Sequence, residues 1–244
     1  MRVVPVAALS AVLCILLSDP ACAEEPTTTK VFPAVLEPGL TEFELRYGRL
    51  MGGDADTEDG LKLEVAHNFS DRLYGGVELE TSRLPDEHRT LDAVGVEGIV
   101  TLGSFAGVNV ALLGEYAANR RAPDAVETRL LLEKRADDWD LRLNLNGEKS
   151  LNRDPIEFGY AASIDREVTD DLRLGVMGVG DLGTSKHLTT QGDHFVGPLA
   201  KYGIDRMPGN GELELEAGYL FAVGQARRDT KGLLRFMVEY AVHL

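Results

Sequence analysis

The sequence predicts an all-β protein, a closed up-and-down antiparallel transmembrane β-barrel of about twelve strands spanning residues 41–244, and three observations lead to this prediction. First, apolar residues fall at alternate positions in segment after segment, and a period of two puts alternate side chains on opposite faces of a strand. Second, most of these segments are about 9–13 residues long, which suits a tilted strand that crosses a bilayer. Third, short turns alternate with longer polar loops, as expected for a barrel whose two rims differ.

The alternation defines each strand in turn. The predicted strands are residues 41–50, 61–69, 73–82, 91–102, 107–119, 126–134, 139–148, 156–168, 172–183, 194–204, 212–223 and 232–244. Short turns are predicted at residues 70–72, 104–106, 135–138 and 169–171, and a turn of intermediate length at 205–211. The longer loops are residues 51–60, 83–90, 120–125, 149–155, 184–193 and 224–231. An even number of strands predicts that both termini lie on the short-turn side.

Alternation alone also fits a soluble barrel, which would turn its apolar face inward and its charges outward. Strand length, loop alternation and a last segment that alternates to its final residue favour the membrane barrel. In that arrangement the apolar face contacts lipid, and aromatic residues gather near the two interfaces. Aromatic residues near segment ends are Tyr47, Phe69, Trp139, Phe158, Tyr202, Phe221 and Tyr240.

The first 23 residues are predicted to be a signal peptide. Arg2 precedes an apolar run over residues 3–17, and the small residues of Ala21-Cys22-Ala23 suit cleavage after Ala23. A lipoprotein signal centred on Cys22 is the alternative, but Asp19 stands where an apolar residue is expected. Residues 24–40 are predicted to be a periplasmic N-terminal tether, and residues 41–244 the barrel, so the predicted location is the outer membrane. Both cysteines lie in the signal, which leaves the mature chain without a disulfide or a thiolate metal site.

Composition excludes some classes of protein. Hydrophobic residues make up 44% of the chain, which is too many for a disordered acidic tail. The net charge of −15 argues against nucleic acid as a partner, because phosphates are bound by Lys and Arg.

Strand parity assigns the charged residues to the lumen. The candidate lumen and transport residues are Glu44, Arg46, Lys62, Glu64, Glu97, Glu115, Arg129, Asp140, Arg142, Glu157, Arg173, Glu214, Glu216, Arg235 and Glu239. Parity places Glu78, Glu80, Glu133, Glu148, Asp165, Asp181 and Lys201 on the same face.

Two interpretations of this lumen stay open. The excess of carboxylates favours a water-filled path that is biased towards cations, as carboxylate rings are. The alternative is a non-conducting structural barrel in which Glu44/Lys62, Arg142/Glu157 and Glu216/Arg235 neutralise one another, because a barrel of this size lies near the boundary between filled and open.

The sequence predicts no catalytic residues, no metal site and no cofactor. The loop over residues 52–60 carries four carboxylates, but it lacks the twelve-residue calcium-loop pattern. A lipid-modifying barrel enzyme would need Ser and His close together with a group that orients the His, and no such motif is present. The five histidines are therefore expected to be interface or loop residues: His67, His88, His187, His194 and His243.

Several segments resemble known outer-membrane proteins. Residues 218–221 and 235–240 look like the closing hairpin of Gram-negative outer-membrane barrels, although the chain ends in Leu244 where such barrels usually end in Phe. Residues 194–198 and the turn at 70–73 resemble the transporter-like barrels of the meta-pathway phenol-degradation family. The resemblance implies passage of hydrophobic or aromatic compounds, and supplies no catalytic residues. The implied partners are outer-membrane lipid, lipopolysaccharide and the barrel-assembly machinery.

Overall fold

The computed structural model describes residues 26–152, 155–189, 192–207 and 211–243. Its strands are β1 (Leu40–Met51), β2 (Asp59–Asn68), β3 (Leu73–Arg83), β4 (Thr90–Phe105), β5 (Val108–Asn119), β6 (Ala125–Ala136), β7 (Trp139–Ser150), β8 (Glu157–Thr169), β9 (Leu172–Thr184), β10 (His187–Leu188), β11 (Asp193–Met207), β12 (Gly211–Gly224) and β13 (Gly232–His243). The predicted signal peptide with its two cysteines, and Leu244, lie outside the described residues, so the cleavage site stays a prediction.

The strands form one closed antiparallel sheet. Each of the twelve long strands pairs with its neighbours in sequence, and β10 pairs only with the end of β9. The barrel closes where β1 runs against β13, from the pair Leu40–His243 to the pair Met51–Gly232. The predicted closed all-β barrel is therefore confirmed.

The strand limits differ from the expected ones mainly where the ladder is irregular. The register shifts between Thr101 and Gly103 in β4, and between Ile204 and Met207 in β11. An irregularity of this kind inserts extra residues into one strand without ending the pairing. For this reason β4 and β11 run three residues beyond the expected ends at 102 and 204.

The two rims have different connections. At the short-turn rim, β4 and β5 are joined by Ala106 and Gly107, whose φ angles of 51° and 78° suit a tight hairpin turn. At the opposite rim, the expected loop over 224–231 contains a 3-10 helix, Gln225–Arg228, and the loop over 184–193 contains β10. The loop after β1 packs on the one before β13, where the amide of Ala55 donates to the carbonyl of Asp229 over 2.9 Å. In the part of the chain that the structure describes, no helix is long and apolar enough to cross a membrane.

The two faces of the barrel wall have opposite character. Apolar side chains such as Phe43, Val77 and Phe221 lie on the outer face, where about half of each remains exposed. Charged side chains such as Arg46 and Lys62 lie inside, and both are only 2% exposed. This is the arrangement of a membrane barrel and the reverse of a soluble one.

The N-terminal segment, defined here as residues 26–39, lies inside the lumen, and the expectation of a tether outside the barrel is therefore wrong for these residues. Thr27, Phe32, Ala34 and Leu36 are buried against the inner wall. The segment runs from the long-loop rim down to β1 at the short-turn rim, so its described end, Pro26, does not lie beside the C-terminus as the even strand count predicts. Burial of apolar side chains explains why the segment lies inside the lumen, because an external tether would leave these side chains in water.

The lumen is apolar where the segment packs. Phe32, Ala34 and Leu36 form one buried cluster with the wall residues Ala66, Tyr74, Ile99, Ala111, Leu113 and Leu131. A second apolar cluster covers the inner wall of β8, β9, β11, β12 and β13 and includes Phe195, Leu199, Leu220 and Leu233. The inner face is thus mixed, and charges dominate between these two clusters.

Candidate functional site: a charged path through the lumen

All fifteen candidate lumen residues lie on the inner face of the barrel wall. Their exposure varies with depth: Arg46 and Arg129 are almost fully buried, and Arg173, near the short-turn rim, keeps 28% of its side chain exposed. Strand parity was sufficient to assign this face. A role in transport stays a prediction.

The most regular feature of the lumen is a row of directly opposed glutamates, called here the glutamate row. Its lower arc begins near the short-turn rim and consists of Glu214, Glu239, Glu44, Glu64 and Glu78, each paired with the next across neighbouring strands. Its upper arc ends at the long-loop rim and consists of Glu97, Glu115, Glu127, Glu148 and Glu157, paired in the same way. The row therefore winds along the inner wall from one rim to the other.

Cations lie between the glutamates. Arg46 contacts Glu44 and Glu64 and lies 3.7 Å from Glu78. Lys62 lies 2.9 Å from the other oxygen of Glu78. These pairs offset part of the charge of the lower arc.

Further cations occupy the rest of the wall. Arg129 contacts Glu127 and lies 3.9 Å from Glu115 in the upper arc. The expected pair of Glu216 with Arg235 is present at 2.8 Å.

The expected pair of Arg142 with Glu157 is wrong, because the register of β7 and β8 puts Arg142 opposite Ser163. Arg142 lies 2.7 Å from Asp140 on its own strand. The expected pair of Glu44 with Lys62 is not a directly opposed pair, because the register sets Glu44 opposite Glu64 and Lys62 opposite Arg46.

Wall side chains bind the backbone of the N-terminal segment near its upper end. Arg46 donates to the carbonyl of Thr28 over 3.2 Å, and Arg235 donates to the carbonyl of Thr29 over 3.0 Å. Lys30 projects from the segment to Glu239 at 3.2 Å and also contacts Glu44. Because the segment is not part of the sheet, these side chains take the place of strand partners.

Hydrogen bonds to the barrel wall also hold the middle of the segment. The amide of Phe32 donates to Asn144 over 2.7 Å, and Asn144 donates back to the Phe32 carbonyl over 3.1 Å. The amides of Ala34 and Val35 both donate to Glu133. The ring of Phe32 has three cations around it at 5.2–5.7 Å, from Lys30, Arg46 and Arg129, distances at which a cation is attracted by an aromatic ring.

Two glycines make room for the segment. Gly48 and Gly60 are directly opposite each other on β1 and β2. A Cβ atom at Gly48 would overlap the backbone of Thr27, and one at Gly60 would overlap its side chain. The segment therefore fits only because both wall positions lack a side chain.

The segment leaves two chambers in the lumen. The upper chamber, of about 890 Å³, opens among the long loops, and its lining includes Glu80, Asp92, Glu115, Glu127, Glu148, Asp181 and Asp193. The lower chamber, of about 430 Å³, has a lining in which Lys30, Arg135, Arg142, Lys201 and Arg235 face Glu42, Glu214, Glu216 and Glu239. The upper chamber is thus strongly acidic, and the lower one is close to balanced.

The acidic loop over residues 52–60 does not gather its carboxylates into one site. Asp56 accepts a hydrogen bond from the amide of Gly52 over 2.8 Å. Asp59 is fully buried between Arg83 and Arg89. Burial raises the pKa of Glu58 above its usual value.

Sequence reasoning missed the residues that hold the segment. Asn144 and Tyr74 were not selected, because an uncharged interior residue gives no signal in a charge pattern. The available signal was the apolar run Val31–Leu36, which is out of place in a solvated tether.

Comparison with known proteins identifies the fold. No family model and no curated protein matches the sequence. The COG4313 outer membrane channel from Pseudomonas putida F1 is similar in structure with a TM-score of 0.58 and 10% identity, over 93% of this chain and 99% of that one. The NanC porin has a TM-score of 0.56 and 12% identity, over 83% of this chain and 100% of that one.

The KdgM porin gives the same result, with a TM-score of 0.54 and 13% identity over 83% of this chain and 99% of that chain. Identities this low show the fold alone. The chain thus has the barrel fold of outer-membrane porins and channels, and membership of the phenol-degradation family is not shown.

Proposed function

We propose that the protein is a passive outer-membrane channel for small cationic solutes. The porin-type fold and the apolar outer face support the outer-membrane location. Contact with lipopolysaccharide, insertion by the barrel-assembly machinery and passage of hydrophobic compounds stay predictions.

The glutamate row carries the proposal. Like charges directly opposite each other in a sheet are destabilising, by roughly 0.2–1 kcal/mol for each pair. The row contains such pairs along both arcs, on nearly every strand from one rim to the other. A wall built only for stability would set opposite charges in register, so the row favours a role in which negative potential is needed, and carboxylates lining a pore select cations.

The upper chamber supports the same conclusion. Ten carboxylates line it against three cations, which are Lys62, Arg121 and Arg129. A chamber lined by charges of one sign concentrates ions of the opposite charge at the entrance of a pore. The KdgM porin has been solved in complex with disordered oligogalacturonate, which is a polyanion, and this acidic chamber would repel such a solute.

A non-conducting structural barrel is the second candidate, and the N-terminal segment favours it. The segment fills the middle of the lumen and has hydrogen bonds to both sides of the wall, so a route past it needs a shift of its residues. The two candidates differ in whether the folded protein conducts.

Planar-bilayer recording tests the proposal. We expect discrete conductance steps and, in a KCl gradient, a reversal potential that shows preference for K⁺. Glu115→Gln combined with Glu148→Gln should lower this preference, because both residues line the upper chamber. Asp71→Asn is the matched control, because Asp71 is exposed in the short turn between β2 and β3 and lines neither chamber.

Anion preference, or a preference that the double variant leaves unchanged, would contradict the cation channel. Absence of conductance from folded protein would support the structural barrel instead.

A further inference from the structure

The two arcs of the glutamate row meet at three carboxylates. Glu64 and Glu78 are directly paired across β2 and β3, and Glu97 on β4 lies one step diagonally from Glu78, which is itself opposite Gly95. Carboxylate oxygens of the three residues lie within 4.8 Å of one another, and all three side chains are buried. Gly76 and Gly95 lie on the inner face between them and leave space for the carboxylates.

We propose that Glu64, Glu78 and Glu97 form a binding site for a divalent cation, with Ca²⁺ as the preferred ion. This site was not expected from the sequence, which predicts no metal site. It goes beyond the proposed function, because a site that holds an ion can exist whether or not the barrel conducts.

The first argument is a carboxylate oxygen without a partner. Glu97 is only 7% exposed. One of its oxygens accepts the hydroxyl of Tyr74 over 2.7 Å, and the other, Oε2, is buried without a hydrogen bond. Among the described residues, no Lys or Arg nitrogen lies within 4.0 Å of this carboxylate. A buried acceptor oxygen without a partner is costly, and a bound cation would remove that cost.

The second argument is the local excess of negative charge. Lys30, Arg46 and Lys62 are shared by Glu44, Glu64, Glu78, Glu80 and Glu239, and Glu97 adds one more carboxylate. This cluster of wall residues and Lys30 therefore contains three more carboxylates than cations. Buried charges of one sign persist only when protons or cations offset them.

The donor set indicates the kind of ion. The ligands would be carboxylate oxygens, and the hydroxyl of Tyr74 lies beside them, within hydrogen-bond distance of both Glu64 and Glu97. Oxygen donors suit hard cations, and Ca²⁺ tolerates irregular coordination better than Mg²⁺, which demands near-ideal octahedral geometry.

The site lies at the boundary between the two chambers. Lys62, which contacts Glu78, lines the upper chamber, and Tyr74, which contacts Glu97, lines the lower one. An ion that enters from the acidic upper chamber would pass Glu115 and Glu80 before it reaches the three carboxylates.

Calorimetric titration of the full, detergent-solubilised barrel with CaCl₂ at neutral pH tests the proposal. We expect one ion to bind per chain, and Glu97→Gln to weaken binding by about tenfold or more. Glu78→Gln should do the same, and it serves as a second variant if the first fails to fold. Glu214→Gln is the matched control, because Glu214 belongs to the same row but lies on β12. Heat-dependent gel mobility verifies that each variant is folded.

Terbium luminescence gives a second readout on the same protein. Tb³⁺ replaces Ca²⁺ at oxygen sites, and tyrosine excitation sensitises its emission at short range, so Tyr74→Phe should remove most of the emission. Competition by Ca²⁺ should quench the wild-type signal. The proposal is overturned if the wild type takes up no ion at neutral pH, which would mean that protons offset the charge, or if Glu97→Gln binds as tightly as the wild type. Neither result depends on conductance.

Discussion

At the scale of single residues, Gly48 decides whether the lumen can hold the N-terminal segment. We expect Gly48→Ala to displace the segment while the sheet stays intact, because the added Cβ would overlap the backbone of Thr27. The expected result is faster proteolysis of the segment and larger conductance steps. Gly203→Ala is the control, because a Cβ at that inner-wall position meets nothing within 4 Å. Equal behaviour of the two variants would show that the segment does not depend on this contact.

Single residues also show what a sequence can and cannot specify. Parity assigns Glu44 and Glu64 to the same face, since each alternates with apolar neighbours on its own strand. It cannot show that they are directly opposite, because register depends on the length and shape of the loop between the strands. The glutamate row and the Glu64–Glu78–Glu97 site were therefore not predictable from the pattern alone.

At the scale of elements, the strands were predictable and the N-terminal segment was not. Twelve long strands repeat the same two-residue alternation, so the prediction of each strand strengthens the prediction of the others. In contrast, residues 26–39 hold three prolines and a polar start at Thr27–Thr29, which are typical of a linker. Their position depends on side chains far along the chain, such as Glu133 and Asn144, which local sequence does not reveal.

At this scale, the docking of the N-terminal segment in the lumen can be tested by substitution. Phe32→Ala should weaken docking by about 3 kcal/mol, because a fully buried aromatic ring and its contacts with three cations are lost. The measurement is the rate of thiol labelling at a cysteine introduced in place of Val31, in a mature chain that is predicted to have no other cysteine.

Val35→Ala is the control within the same segment, because Val35 is 40% exposed. Labelling that is as slow in Phe32→Ala as in the control would contradict the importance of the Phe32 contacts.

At the scale of the whole molecule, the net charge of −15 and the acidic upper chamber set the response to salt. We expect the preference for K⁺ to fall as the mean salt concentration rises from 0.1 M to 1 M, since the Debye length falls from about 10 Å to about 3 Å. Reversal potentials at a fixed concentration ratio measure this. A preference that does not change with salt would indicate selection by a narrow site instead of by the field of the chamber.

The path of the N-terminal segment has a consequence for the sidedness of the chain. Twelve strands and one internal segment cross the height of the barrel thirteen times, so Pro26 and His243 lie at opposite rims. A peptide epitope placed ahead of Pro26 would emerge among the long loops, and the same epitope after His243 would emerge beside the short turns. Antibody binding to intact cells would therefore distinguish two ends that an even-stranded barrel normally keeps together.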